Sequence, residues 1–339
     1  MLRVLSIFGT RPEAVKMAPV VKTLAATPGI LSRVCVTAQH RQMLDQVLEV
    51  FDIHPDIDLN LMRPNQSLAQ LTAEIFTHLD PVLAQEKPDW VLVQGDTTTV
   101  MAAALLAFYH HIHVGHVEAG LRTGDRWQPF PEEINRRVAG VVADLHFAPT
   151  EWARDNLLKE GIPANQVVVT GNPVIDALHI VANQEIPAEI SRLLATLGIN
   201  PAAGRGVEKK LILVTAHRRE NFGEPLEQIC EALVELAGGG DVEIVYPVHP
   251  NPNVQETANR ILTGVAHVTL LPALDYLPMV QLMKHAYLVL TDSGGIQEEA
   301  PYFGIPVLVL REVTERPEGV EAGVLKLVGT RNQEIVSAT

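Results

Sequence analysis

Short apolar runs alternate with amphipathic stretches along most of the chain. RVLSIF (3–8), SRVCVTA (32–38), DWVLVQG (89–95), HVGHVEA (113–119), LHFAP (145–149) and QVVVTG (166–171) read as strands. Between them, residues 13–25, 41–51, 68–86, 98–109 and 131–143 carry helical patterning. The strands are continuously apolar rather than alternating, which predicts a parallel sheet covered on both faces. The rhythm restarts with KLILVTA (210–216), VEIVYPV (242–248), HVTLLPA (267–273), YLVLTD (287–292) and PVLVL (306–310). Helices are expected over 225–238, 252–262, 276–285 and 296–303. The stretch 173–209 is less regular, and NPAAGRGVEKK reads as a loop. The expected fold class is α/β, with two Rossmann-type doubly wound domains, 1–172 and 173–339, and a boundary near 172–200. Such domains turn the carboxyl ends of their strands toward a shared central cleft, so the informative residues should stand just after strands.

A length of 339 residues suits two domains of ordinary size. The formal charge of −14 argues against nucleic acid or an anionic membrane as partner. It leaves room for an anionic small molecule held by a few arginines. Cys35 and Cys230 lie in a strand and a helix and read as buried thiols, without disulfide or zinc spacing. MLRVLSIFG is a strand rather than a signal peptide, and no apolar run has the length of a membrane span. The reducing cytoplasm is the expected location.

The strand exits carry the chemistry. FGTRPEAVKMAP leaves the first strand with a glycine turn, a helix start and two cations, Arg11 and Lys16. Cations there oppose the helix dipole, which favours an anion-binding reading over a plain turn. Asp96 in VQGDTTTV fits a helix cap as readily as a reactive group. Glu118 in GHVEAGLRTGD ends an apolar strand with no helix to cap, an expensive place for an unused carboxylate. Glu132 and Glu133 follow Pro131 at a helix start, with Arg136 and Arg137 one turn on; dipole and i,i+4 pairing explain much of that. Three acidic stations on three strand exits of one domain are nevertheless less easily dismissed.

The second domain sends His217, Arg218 and Arg219 from one strand and His249 from the next. Two histidines beside arginines suit diphosphate contact or acid–base work. In LTDSGGIQEEAP, a helix is expected to open at Ile296, with Glu298 and Glu299 in its first turn. Ser293, Gly294 and Gly295 offer amides and a hydroxyl to a diphosphate, and Glu298 offers a carboxylate to a ribose diol. A base would then reach the loop PALDYLP with Tyr276, and Arg316 adds charge. Together these describe a nucleotide site. HHIHVGH (110–116) lies at a helix-to-strand junction without Cys or Asp, so no metal is expected there. No G-x-G-x-x-G stands in the chain, against a tightly held dinucleotide.

FGTRPEAVKMAP, TAQHRQMLDQV, GDTTT, GHVEAGLRTGD, PFPEEINRR, TAHRREN, YPVHPNP, LTDSGGIQEEAP and TERPEG together closely resemble the bacterial non-hydrolysing UDP-N-acetylglucosamine 2-epimerases. The resemblance spans residues 1 to about 330. It implies a GT-B-like pair of Rossmann domains, interconversion of UDP-GlcNAc and UDP-ManNAc, a homodimer, and no NAD or required metal. Asp96, Glu118, Glu132 and His217 match the family's catalytic positions. Arg11, Lys16, Ser293, Gly294, Gly295, Glu298 and Arg316 match its UDP-binding positions; Arg136, His249 and Tyr276 are further expected substrate contacts. Gln39 and Gln42 match part of a second, activating UDP-GlcNAc site, while Asn65 stands where some regulated members have Arg. Members usually continue several tens of residues past a VGT segment in helices that return to the first domain; this sequence ends at Thr339 and is expected to lack them.

The C2 proton of the sugar has no neighbouring carbonyl, so simple abstraction is implausible. Elimination of UDP to a 2-acetamidoglucal, with re-addition after protonation at the other face, fits three carboxylates and a cationic clamp. The same nucleotide site would also serve a hydrolysing epimerase, a GT-B glycosyltransferase or a non-catalytic nucleotide-sugar sensor.

Overall fold

The continuous apolar runs form interior strands because helices cover both faces of each sheet. In β1 (Leu2–Phe8), for example, Val4, Leu5, Ile7 and Phe8 are all buried, although neighbours point to opposite faces. The computed structural model describes residues 1–37, 41–61, 63, 66–200, 209–314 and 316–339, apart from the side chains of 41–43. The chain divides into two compact units, Met1–Ala177 and Leu178–Thr339.

In the first unit, β1 is followed by α1 (Arg11–Ala26), β2 (Ile30–Val36), α2 (Arg41–Val50), β3 (Ile57–Asp58), α3 (Leu68–Glu86), β4 (Trp90–Gln94), α4 (Thr98–Tyr109), β5 (His113–Val117), α5 (Glu132–Val142), β6 (Leu145–Ala148), α6 (Glu151–Lys159) and β7 (Val167–Val169). The strands pair in parallel in the order β3-β2-β1-β4-β5-β6-β7. After α7 (Pro173–Ala182), the second unit runs through α8 (Ala188–Thr196), β8 (Lys210–Thr215), α9 (Glu224–Gly238), β9 (Val242–Val248), α10 (Pro252–Leu262), β10 (Val268–Pro272), α11 (Tyr276–Lys284), β11 (Leu288–Thr291), α12 (Gly294–Tyr302), β12 (Val307–Val309), α13 (Pro317–Glu321), β13 (Leu325–Leu327) and α14 (Asn332–Ala338). Its parallel sheet has the order β10-β9-β8-β11-β12-β13. The expected pair of doubly wound α/β units is therefore present. Strand order reverses between β1 and β4 in one unit and between β8 and β11 in the other. Ligands of such sheets bind beyond the carboxyl ends of the strands at those places.

Two local expectations need correction. Residues 173–209, read as less regular and assigned no helix, contain α7 and α8. Val174, Ala177, Leu178 and Val181 bury one helical stripe, as do Ile190, Leu194 and Leu197. Within NPAAGRGVEKK, residues 201–208 lie outside the described residues. The second correction concerns α12, which opens at Gly294 rather than Ile296, with Ser293 in the cap position. Glu298 and Glu299 consequently stand in the second turn, not the first. Gly294 packs against the Arg316 guanidinium. A Cβ there would stand 2.9 Å from Arg316 Nη1. Among the described residues, no helix is long and apolar enough to cross a membrane.

Candidate functional site

At the first unit's reversal point, β1 ends in Gly9 and Thr10. A Cβ on Gly9 would fall 1.9 Å from Thr37 Oγ1, so only glycine lets the chain pass so close to β2. Thr10 caps α1 in a capping box with Glu13. Glu13 does more than cap. It is 2% exposed; its Oε2 accepts from Gly9 N at 2.9 Å and Thr10 N at 2.6 Å, while Oε1 accepts from Thr97 Oγ1 at 2.6 Å. One buried carboxylate thus ties the exit of β1 to the exit of β4. Burial holds the carboxyl above its usual value, although the bonds from Thr97, Gly9 and Thr10 pull it down.

Two variants separate the hydrogen bonds from the charge of Glu13. Glu13→Ala strands two backbone N–H groups and is expected to cost about 2–5 kcal/mol in urea unfolding. Glu13→Gln keeps an amide oxygen for both donors and turns its NH2 toward Thr97 Oγ1; it is expected to stay within about 1 kcal/mol of the parent near neutral pH. A carboxyl raised on folding contributes stability that is present below its unfolded value and lost as pH rises through the folded value. The glutamine variant should lack that loss.

Asp96 follows β4, and the competing cap reading is resolved by Thr97, which holds the cap position of α4. Asp96 is instead bonded to Arg136, and its side chain is 30% exposed. Arg136 is itself fastened by Glu133 Oε2 and the Leu121 carbonyl, each at 3.3 Å. Glu133 is fully buried; it also accepts from Thr123 N at 3.2 Å and pairs with Arg137 at 3.0 Å. Arg136, expected as a substrate contact, is therefore the middle of an internal chain running Glu133–Arg136–Asp96. Glu132 opens α5 and is half-buried.

Glu118 follows β5 in a left-handed conformation, with φ of +61°. Such backbone costs about 1–3 kcal/mol for a residue with a side chain and persists only where its surroundings enforce it. Here Oε1 meets Lys16 Nζ at 2.5 Å and Asn172 Nδ2 at 2.9 Å, and Oε2 accepts from Gln94 Nε2. The structure thus brings Lys16, expected as a diphosphate cation, onto a catalytic candidate. Glu118 also lies beside the residue preceding Asp96, since a Cβ on Gly95 would stand 3.6 Å from Glu118 Oε2. The Gly95 carbonyl accepts from His116 Nε2 at 2.7 Å, and burial pushes the His116 ring down to about 4. Arg11, half-buried, has no carboxylate partner among the described residues. His110 bonds Asp80 at 2.7 Å and His113 stacks on Trp90, so the histidine-rich segment is dispersed among separate partners. Among the described residues, no cluster of three or more His, Cys, Asp or Glu could hold a metal ion. Cys35 and Cys230 are both buried, and burial raises each thiol to about 12.

In the second unit, Asp292 at the exit of β11 is fully buried. Its Oδ2 accepts from His217 N and Arg218 N, each at 2.8 Å, and from Asn221 Nδ2 at 3.0 Å. The bonds fasten the exit of β8 to that of β11. His217 Nδ1 stands 3.5 Å from Asp292 Oδ1. The imidazole stacks on His249 at 5.3 Å and 13° between planes. Burial lowers the His217 pKa; Asp292 opposes this, and His249 and Arg218 add to it. His249 is exposed, and its Nδ1 accepts from Asn251 N at 3.2 Å. At α12, Arg316 binds Glu298 through Nε at 2.7 Å and Nη2 at 2.6 Å. The cation and the carboxylate expected to contact a ligand separately are joined beside the amides of Gly294 and Gly295. Thr314 Oγ1 donates to Gln297 Oε1 at 2.5 Å, fixing the loop that carries Arg316. Tyr276 is buried at the start of α11. Gln39 and Asn65 lie outside the described residues, as does the side chain of Gln42.

Glu13, Asp292, Asn221 and Asn172 were not anticipated as parts of the site. Thr10 and Glu13 spell a capping box in the sequence, whereas nothing local announces that Asn172 meets a carboxylate 54 residues away.

The family model for UDP-N-acetylglucosamine 2-epimerase matches residues 22–339. The UDP-N-acetylglucosamine 2-epimerase of Yersinia pestis is 56% identical over 343 residues, covering 99% of this chain and 89% of the relative. The crystal structure of the UDP-GlcNAc 2-epimerase from Neisseria meningitidis bound to UDP-GlcNAc superposes with a TM-score of 0.89 at 50% identity, over 99% of this chain and 90% of that one. The Methanocaldococcus jannaschii enzyme in complex with UDP-GlcNAc and UDP gives 0.82 at 35% identity, over 99% and 91%.

Proposed function

The chain belongs to the UDP-N-acetylglucosamine 2-epimerase family, and from that premise we propose that it interconverts UDP-GlcNAc and UDP-ManNAc by elimination and re-addition of UDP. A base takes the proton from C2 as the C1–oxygen bond breaks and UDP leaves with the electron pair. The 2-acetamidoglucal and UDP stay bound. A proton then enters C2 from the other face, and a UDP oxygen re-forms the bond to C1.

The observation that carries this reading is Glu118, buried, held in left-handed backbone by three donors, and set beside the turn that bears Asp96. Strain of this kind concentrates at working sites. Asp96, Glu118 and Glu132 share the proton work at C2. His217 donates to the departing diphosphate, and Arg11 stabilises the same developing charge. The α12 amides at Gly294 and Gly295, with Ser293 and Arg316, receive the diphosphate, and Glu298 receives the ribose. Lys16 acts mainly through Glu118. We extend the proposal to a cytoplasmic homodimer that supplies ManNAc units for surface polysaccharide. Two buried, unpaired thiols support the compartment, and exposed Phe108, Tyr109 and Val141 on α4 and α5 support the dimer.

Incubation with UDP-GlcNAc in D2O, followed by NMR, tests the reaction. UDP-ManNAc carrying deuterium at C2 is expected. Free UDP with ManNAc would replace this reading by a hydrolysing epimerase. Absence of any exchange, with UDP bound, would replace it by a transferase or a sensor.

A further inference from the structure

The Asp292 carboxylate uses its two oxygens unequally. Oδ2 receives three N–H donors. Oδ1 is wholly buried and has no hydrogen-bond partner among the described residues. A buried, unsatisfied acceptor is costly, and a carboxylate oxygen more so. His217 Nδ1, at 3.5 Å, is the ionisable partner the structure gives it. The ring needs to approach only to about 3 Å to make an ordinary N–H···O bond. Its position is limited on one side by the parallel His249 ring, and the backbone N–H of His217 itself is held by the same carboxylate.

We propose that Asp292 is a positioning residue for His217, holding the ring proton on Nδ1 so that Nε2 is presented to the reaction. The inference rests on the reading that His217 takes part in catalysis. Its chemistry follows from the donor count. A carboxylate offers only acceptors, so Oδ1 favours Nδ1–H and leaves Nε2 to take up and release a proton. The groups facing the ring are Asp292, His249 and Arg218. Of these, Asp292 alone favours the imidazolium that a proton donor to diphosphate requires.

Asp292→Asn makes the prediction sharp. The three N–H donors of the clamp will capture the amide oxygen, because an NH2 group cannot accept from them. The amide NH2 must then face His217 Nδ1, which has to accept. The variant therefore inverts the tautomer, moving the proton to Nε2 and opposing the doubly protonated ring. A clamp serving only to hold the loop would move neither.

Nitrogen-15 NMR of histidine-labelled protein reads the tautomer directly, with the His217 signal, one of 13 histidines, identified by its loss in His217→Gln. The expected result is Nδ1–H in the parent and Nε2–H in Asp292→Asn. A parent ring protonated on Nε2 overturns the proposal whatever the variant does. Asn221→Ala, which weakens the clamp without changing charge, is expected to keep Nδ1–H; inversion there would overturn it as well. In turnover assays, Asp292→Asn is expected to lower kcat on the order of 10²–10⁴-fold, the loss a wrong tautomer produces. The same substitution in a His217→Gln background is expected to add little. An equal loss in both backgrounds would mean that Asp292 acts without His217. Full activity of His217→Gln alone would instead remove His217 from the mechanism, leaving the tautomer result standing.

Discussion

Asp96→Asn is expected to lower kcat for the proposed UDP-GlcNAc to UDP-ManNAc conversion by about 10²–10⁴-fold, the usual range for loss of a positioned acid–base group, while leaving UDP binding in place. The substitution keeps size and shape and removes only charge and proton affinity. It does not uncap a helix, because Thr97 holds the cap of α4. Nor does it strand Arg136, which retains Glu133 Oε2 and the Leu121 carbonyl, each at 3.3 Å. Fold and nucleotide binding should therefore survive, and the lost activity reports chemistry. Turnover by NMR, UDP titration calorimetry and urea unfolding on the same preparation check the three parts. Turnover within tenfold of the parent would take Asp96 out of the proton work. Loss of UDP binding in step with turnover would assign it to substrate binding instead.

What the sequence made legible was periodicity and strand exits. Continuous apolar runs gave the two parallel sheets, because burial on both faces leaves an unbroken signature. Asp96, Glu118, His217 and the Ser293–Gly295 turn could be singled out because each follows such a run. What pairs with them could not be read the same way. Lys16 and Glu118 are 102 residues apart, and Asp292 lies 75 residues beyond His217. Their meeting depends on which strands are neighbours, information that resides in sheet order rather than in local pattern. The same limit affects charge. A lysine in the opening turns of α1 reads as an anion ligand, and its pairing with Glu118 appears only once β5 is placed. Arg136 reads as an i,i+4 partner or a substrate contact, and its link to Asp96 appears only once β4 is placed. The α12 start was misplaced for another reason: glycine is a poor helix former by propensity, yet Gly294 and Gly295 take the first helical positions behind Ser293.

Lys16→Met puts the pairing of Lys16 to its most direct test. The two side chains are 16% and 5% exposed, and the 2.5 Å contact joins α1 to the strained residue after β5. Removing one partner of a buried pair leaves an uncompensated charge and costs about 3–5 kcal/mol. Gln94 and Asn172 still donate to Glu118, which places the expected loss toward the lower end. All three tryptophans, Trp90, Trp127 and Trp152, lie in the first unit, so tryptophan fluorescence in urea follows that unit alone. The double variant Lys16→Met/Glu118→Gln should recover most of the loss, since the amide carries no charge to strand and keeps an oxygen for one of the two donors. The lysine side chain supplies packing as well, but methionine matches its stem closely, so the coupling measures the ion pair. An unchanged unfolding midpoint with weakened UDP binding would return Lys16 to the role its place in the sequence suggested, a cation held for diphosphate. A loss that Glu118→Gln relieves would make it the residue that holds the carboxylate in a backbone conformation Glu118 does not adopt unaided.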